Sequence, residues 1–214
     1  VRTVAAGALA FVLACASAGP QEGDDYFRWS AFRVPINENV VLRWQRREMP
    51  LSVHLPAPPE GLFEDPEAIY ESVLDGVLDW TDTVEPGLPS FEFVDNPGEA
   101  DIPIVWAAEP DGDWYLAHCA YDINLSQRRF GVSRILVAAR RGEWTADIHD
   151  VHRVMLHEMG HALGLRHSPV ARDLMYGGGG GPGIGDRDRN TLRKLYERPI
   201  GSRVAGARFY DAGN

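Results

Sequence analysis

Hydrophobic and polar residues alternate along this chain with two different periods. Leu51, Val53 and Leu55 are separated by Ser52 and His54, the spacing of a half-buried strand, which puts His54 on the solvent side. The next segment changes period. Ile69, Val73, Val77 and Trp80 fall at spacings of four, four and three and make one apolar helix face. Asp65 is the expected N-cap, Pro66 suits the first helical position, and Glu67 favours the positive end of the helix dipole. EPGLP ends that helix. Two short strands follow: FEFV, with Phe91 and Phe93 on one side, and DIPIVWA, a continuous apolar run suited to a central strand. A further strand is expected near Leu116 to Tyr121, and SRILVAAR is a strand with an apolar middle. GEWTADIHD reads as a loop, with Asp147 or Thr145 near the start of the next helix, VHRVMLHEMGHALGL. Gly177 to Gly185 is a glycine-rich loop, and DRDRNTLRKLY is a short last helix with Leu192 and Leu195 inward. The predicted order is strand, helix, four strands, helix, helix, with no repeat at a period of about 20–50 residues.

The ends are different. Residues 19–42 are polar and mixed and read as a linker or loosely attached arm, and the tail 198–214 has little to pack and is expected to be mobile. VRTVAAGALAFVLACASAG carries one basic residue, Arg2, then an apolar run from Val4 to Leu13, then small residues. That is the layout of an export signal over residues 1–18, and the run is well short of the ~20 residues that span a bilayer. VLAC resembles a lipobox that would acylate Cys15, whereas ASA before Gly19 fits ordinary cleavage; both remain open. The product is expected to be exported, either secreted or held in the cell envelope. In either case Cys119 is left alone, so no intramolecular disulfide is available.

Composition narrows the function. A chain of 214 residues is long enough for one compact domain with a real core. Its net charge of −10 argues against a nucleic-acid surface, which wants a basic footprint.

Three of the seven histidines lie in one stretch, HEMGHALGLRH. His157 and His161 are four apart on a helix and therefore share a face. Two neutral imidazoles on a rigid face reach one ion at Zn–N distances of ~2.0–2.1 Å. Glu158 sits beside them, placed to hold a water and take its proton. Gly164 can adopt positive φ and end the helix sharply, so that His167 folds back to a third position. Three protein ligands leave a fourth position open, as catalytic rather than structural zinc requires. Surface histidines would not need all five residues at these offsets. His149 and His152, upstream, read as solvent-facing or capping residues.

The extended motif, with DLMY after it, resembles that of the metzincin zinc peptidases and fits the matrixin (matrix metalloproteinase-like) branch best. The resemblance implies that His157, His161 and His167 are the ligands of one catalytic zinc, that Glu158 is the general base, and that Met175 supports the metal from a turn beneath it. Ser168 follows the third histidine as in matrixins. LAHCAY is similar to the matrixin edge strand whose backbone pairs with an extended substrate, which makes Leu116, Ala117 and His118 candidate substrate contacts. Glu143, Trp144 and Thr145 match the segment leading to the active-site helix, and IGDRDRNTLRKLY resembles the family's last helix. The implied domain spans 43–197. Its fold class is α+β, a zincin-like catalytic domain with three main helices. Its twisted, mostly parallel sheet has about five strands and one antiparallel edge strand.

Departures limit what carries over. His118 matches one ligand of the matrixins' second zinc, but the other ligands are missing and Val137 stands about where a histidine would fall, so no second zinc is expected. No motif supports calcium, although the family uses it. No PRCGxPD latency segment is present, and Gly177 replaces the proline after Met-Tyr, so side-chain preference cannot be transferred. The expected activity is zinc-dependent hydrolysis of peptide bonds in extracellular or envelope proteins by a monomer. A non-proteolytic zinc-binding module and a small-molecule zinc hydrolase on the same fold are the alternatives.

Overall fold

A computed structural model describes residues 23–34, 38–110, 116–124 and 126–208. In chain order the elements are β1 (Phe32–Val34), β2 (Glu38–Val40), β3 (Leu51–His54), α1 (Pro66–Leu78), β4 (Phe91–Phe93), β5 (Ile102–Ala107), β6 (Ala117–Tyr121), β7 (Val132–Ala138), β8 (Arg140–Arg141), β9 (Trp144–Thr145), α2 (Ile148–Ala162) and α3 (Asp186–Glu197). The five-stranded sheet has the order β4-β3-β5-β7-β6. Its strands are parallel except β6, which runs antiparallel to β7 at one edge. The α+β architecture, the central place of DIPIVWA and the antiparallel edge at LAHCAY are all as the sequence predicts.

Both long helices start where the chain supplies a cap. Asp65 accepts from the Ala68 N–H at 3.1 Å ahead of Pro66, and Asp147 accepts from the Asp150 N–H at 2.8 Å. The helix α1 packs on α2 at Gly76, where an added Cβ would stand 2.9 Å from Met155 Cβ. Trp80 closes the seam from inside, fully buried with its indole N–H on the Leu156 carbonyl at 2.9 Å.

The structure corrects the sequence reading in three places. The 19–42 segment is not loosely attached where it is described. Tyr26, Phe32, Val41 and Leu42 are buried, the hairpin β1–β2 forms, and Trp44 donates to the Ala162 carbonyl at 2.7 Å. Arg43 meets the carboxyl end of α3, donating to the carbonyls of Leu195 (3.0 Å) and Arg198 (2.8 Å). The tail is also held: Val204 is buried, its N–H meets the Asn39 carbonyl at 2.8 Å, and Gly201 N–H meets Val41 at 2.8 Å. Finally, GEWTADIHD is not all loop. Trp144 and Thr145 pair with Arg141 and Arg140, while α2 begins at Ile148, capped by Asp147, one of the two residues the sequence places near its start. The expected export signal over residues 1–18 and Cys15 lie outside the described residues, among which no helix is long and apolar enough to cross a membrane.

Candidate metal centre

The helix α2 sets two imidazoles one turn apart, with the His157 and His161 ring centroids 4.7 Å from each other. The chain then leaves the helix at Gly164, whose φ is +102°. The Gly164 N–H bonds the His161 carbonyl at 2.8 Å and the Leu165 N–H reaches back to Gly160 at 2.9 Å, closing the helix end. A side chain is excluded there twice over, by the positive φ and by Leu42 O and Leu195 Cδ2, each 3.1 Å from an ideal Cβ. This bend returns His167 to the face it has just left. Its ring lies 4.8 Å from His161 and 5.3 Å from His157.

Hydrogen bonds fix which nitrogen each helical histidine presents. His157 Nδ1 meets the Leu174 carbonyl at 2.8 Å and His161 Nδ1 the Leu165 carbonyl at 2.9 Å. A carbonyl only accepts, so each Nδ1 carries the hydrogen and each Nε2 presents a lone pair. Burial disfavours the charged form of all three imidazoles and lowers their pKa values, that of His167 to about 4. Three neutral imidazoles thus converge. Their nearest nitrogens all lie within 4.8 Å of one another, and His161 Nε2 is 3.2 Å from His167 Nε2. Since His161 Nε2 presents a lone pair, that contact without an ion is a hydrogen bond donated by His167 Nε2–H, and a cation between the two rings would take the place of its hydrogen. Ligands ~2.0–2.1 Å from a common tetrahedral centre are spaced by roughly 3.3 Å, so this donor set suits zinc.

Glu158 faces the same space from the adjacent helical position. It is buried, and its Oε2 accepts from the Cys119 backbone N–H at 2.7 Å. Burial pushes its pKa up to about 7, against the pull of that N–H. A carboxyl group poised near neutrality can take and return a proton. The bond also places Glu158 against the β6 edge: Cys119 turns its N–H away from β7, its register partner there being Ile135. Of the candidate edge residues, Ala117 and His118 lie in β6, while Leu116 precedes it, fully buried, with its carbonyl taking the Ala138 N–H at 2.7 Å.

Met175 is fully buried beneath the triad, its sulfur and methyl packed against Gly160 of α2. Its carbonyl accepts from the Ser168 N–H at 2.7 Å, tying the turn to the residue after His167. The organiser of this turn is Asp188, in the first turn of α3. Its carboxylate is buried and accepts from the Tyr26 hydroxyl (2.7 Å), Gly185 N–H (2.9 Å), Leu174 N–H (3.3 Å) and Met175 N–H (3.4 Å). A chain of bonds therefore runs from Tyr26 through Asp188 and Leu174 to His157. The charged pair of Asp173 and Arg187, at 2.9 Å, braces the same turn. Sequence reading missed Asp188, Tyr26 and the Cys119 N–H. Asp188 reads as one more polar residue of a helix start, and a backbone donor has no sequence signature. His149 is exposed, as expected, and His152 lies 3.3 Å from Asp79.

Comparison with known proteins agrees with this geometry. The family model described as Matrixin matches residues 64–197. The chain is also 40% identical, over 47 residues, to a protein of Trichoplusia ni ascovirus 2c named "Putative matrix metalloproteinase". That match covers 22% of this chain and 9% of the viral protein.

Proposed function

The chain belongs to the matrixin family of zinc metallopeptidases, and from that premise we propose that it is an endopeptidase in which His157, His161 and His167 hold one zinc ion and Glu158 is the general base. The observation that carries the proposal is the convergence of three imidazoles beside a buried carboxyl group that the Cys119 N–H holds in place. A zinc ion held there supplies Lewis acidity toward a peptide carbonyl and a water acidic enough to react near neutral pH.

The chain's own residues do the rest. The carbonyls of Leu174 and Leu165 keep His157 and His161 in the tautomer that presents Nε2. The Cys119 N–H holds one carboxylate oxygen of Glu158, leaving the other to take a proton from the attacking water and pass it to the leaving amine. The free side of β6 receives an extended peptide by strand addition, which brings its backbone alongside Glu158. Met175 fills the space beneath α2 and is not a ligand.

We place the enzyme outside the cytoplasm, on the strength of the apolar run Val4–Leu13 and the small residues after it, with extracellular or envelope proteins as substrates and acylation at Cys15 as one way of retaining it. Mass determination of the mature amino terminus tests this, and a chain that keeps residues 1–18 refutes it.

The decisive experiment is digestion of casein by the zinc-loaded chain, with a chelated sample and Glu158→Ala alongside. Cleavage is expected for the wild type alone, with zinc retained in Glu158→Ala. Normal turnover by Glu158→Ala refutes the general-base assignment, and no cleavage by the zinc-loaded wild type refutes the peptidase reading.

A further inference from the structure

Arg166 stands in sequence between Leu165, whose carbonyl orients His161, and His167. It is half-buried. Its guanidinium carbon lies 5.2 Å from the ring centroid of Phe32 and 5.6 Å from that of Tyr121, so the cation rests against both rings. The Tyr121 ring meets the His161 ring edge-on at 6.2 Å. The guanidinium is thus fixed beside the triad, near enough for its charge to be felt at His161 and His167.

Stacking on aromatic rings uses the faces of a guanidinium and leaves its edge donors available. Arginine has five N–H groups, and ring contact leaves them available to an acceptor in the guanidinium plane. Two other half-buried arginines are engaged: Arg43 donates to the carbonyls of Leu195, Tyr196 and Arg198, and Arg187 grips Asp173. Among the described residues, no carboxylate pairs with Arg166. In a chain of net charge −10, a preoriented cation at the metal site with unfilled donors suits an anion that arrives with the substrate.

The position of that anion follows from β6. Glu158, bound to the Cys119 N–H, marks where a peptide on the strand edge is cut. Tyr121 is two residues further along, or ~7 Å. We propose that Arg166 is a specificity-determining residue that pairs with the carboxylate of an Asp or Glu side chain in the substrate, about two residues from the scissile bond toward the Tyr121 end of β6. The chain's overall negative charge does not oppose this strongly, since fields are screened over ~8 Å at physiological ionic strength while the pair itself is in contact. The inference rests on the peptidase reading.

The test uses peptides built on a sequence that the zinc-loaded wild type cleaves, carrying Asp, Ala or Lys at successive positions around the bond. At one position within about three residues of the bond, the kcat/KM ratio of Asp to Lys is expected to be ten- to a hundredfold in the wild type, the strength of a charge-assisted bond. It should approach one in Arg166→Ala and invert in Arg166→Glu. Each ratio is taken within one variant, so loss of folded enzyme cannot imitate the effect. A wild-type ratio near one at every position, or a preference that survives Arg166→Glu, overturns the inference while leaving the peptidase reading intact. If the wild type cleaves nothing, including casein, the peptidase reading falls and takes this inference with it.

Discussion

Gly160 is the residue in the metal motif whose replacement makes the most definite prediction. It lies on α2 between His157 and His161, with no obvious need for a glycine, since its backbone is helical. The structure supplies the reason. An ideal Cβ at Gly160 would press into Met175 Sδ and lie 3.1 Å from both Met175 Cε and Trp80 Cζ2. Met175 and Trp80 are both fully buried, so neither can swing into solvent. Gly160→Ala therefore carries two opposed effects. Helix propensity favours alanine by about 1 kcal/mol. Overpacking a tight core costs about 1–3 kcal/mol. The net destabilisation is about 0–2 kcal/mol, too small a range to test the reasoning. The double-mutant cycle with Met175→Ala separates the terms. Met175→Ala alone should cost about 2–5 kcal/mol. In that background the new methyl meets a cavity instead of a sulfur, and the propensity gain remains together with the close approach to Trp80 Cζ2. The coupling between the two substitutions should then equal the Met175 part of the clash, about 1–3 kcal/mol, with the double variant more stable than additivity allows. Urea unfolding of the metal-free chains measures it, with unchanged m-values as the control. Additivity to within about 0.5 kcal/mol would show that the Met175 side chain does not press on α2 and would refute this account of the turn.

Other consequences are as direct. Asp188→Ala removes the acceptor from the Tyr26 hydroxyl and Gly185 N–H and loosens Leu174 and Met175; hydrogen bonds to a charged group suggest a loss of about 2–4 kcal/mol after allowing for the burial that raises the Asp188 pKa. Calorimetric unfolding checks this, zinc affinity should fall with it through the Leu174 carbonyl on His157, and a loss under 1 kcal/mol with unchanged zinc affinity would refute the network. The metal-free chain should lose stability as pH falls from about 6.5 toward about 4, because the unfolded chain accepts protons on three imidazoles that the folded one refuses. Glu158 acts in the opposite sense, its folded pKa being raised to about 7, so Glu158→Gln should steepen the fall; a urea midpoint flat across this range in both chains counts against the buried, neutral triad.

The sequence revealed the strands and helices because their apolar residues recur at fixed spacings, and periodicity survives in one dimension. Leu51 and Val53 are fully buried, and so are Val73, Val77 and Trp80 along the apolar face of α1, but Ser52 between the first two is buried as well, its hydroxyl bonded to Asp101 and Glu99, so β3 is not the half-buried strand its alternation predicts. The histidine triad was legible for a related reason. Two of its imidazoles share a helix, and the third is reached by a bend at Gly164, so the whole cluster is encoded within eleven residues. What stayed hidden depends on partners far apart in sequence. Tyr26 looks like part of a polar arm until its hydroxyl is found on Asp188, 162 residues away. Asp188 looks like one of several acids near a helix start until it is found to hold the turn under the metal.

These distant contacts have a physical consequence that the local motif does not. His157 takes its orientation from Leu174, Leu174 and Met175 are held by Asp188, and Asp188 is held by Tyr26 and the start of α3. The metal motif itself supplies none of these supports. A peptide comprising His157 to Met175 would carry every ligand and still lack the carboxylate that fixes the turn and the edge-strand N–H that holds Glu158. Its imidazoles would have to lose side-chain and backbone freedom on binding the ion, at about 1–2 kcal/mol per residue of backbone fixed. The folded chain has met that cost in forming its core. The arm and α3 thereby belong to the metal centre as much as α2 does, although neither contributes a ligand to it.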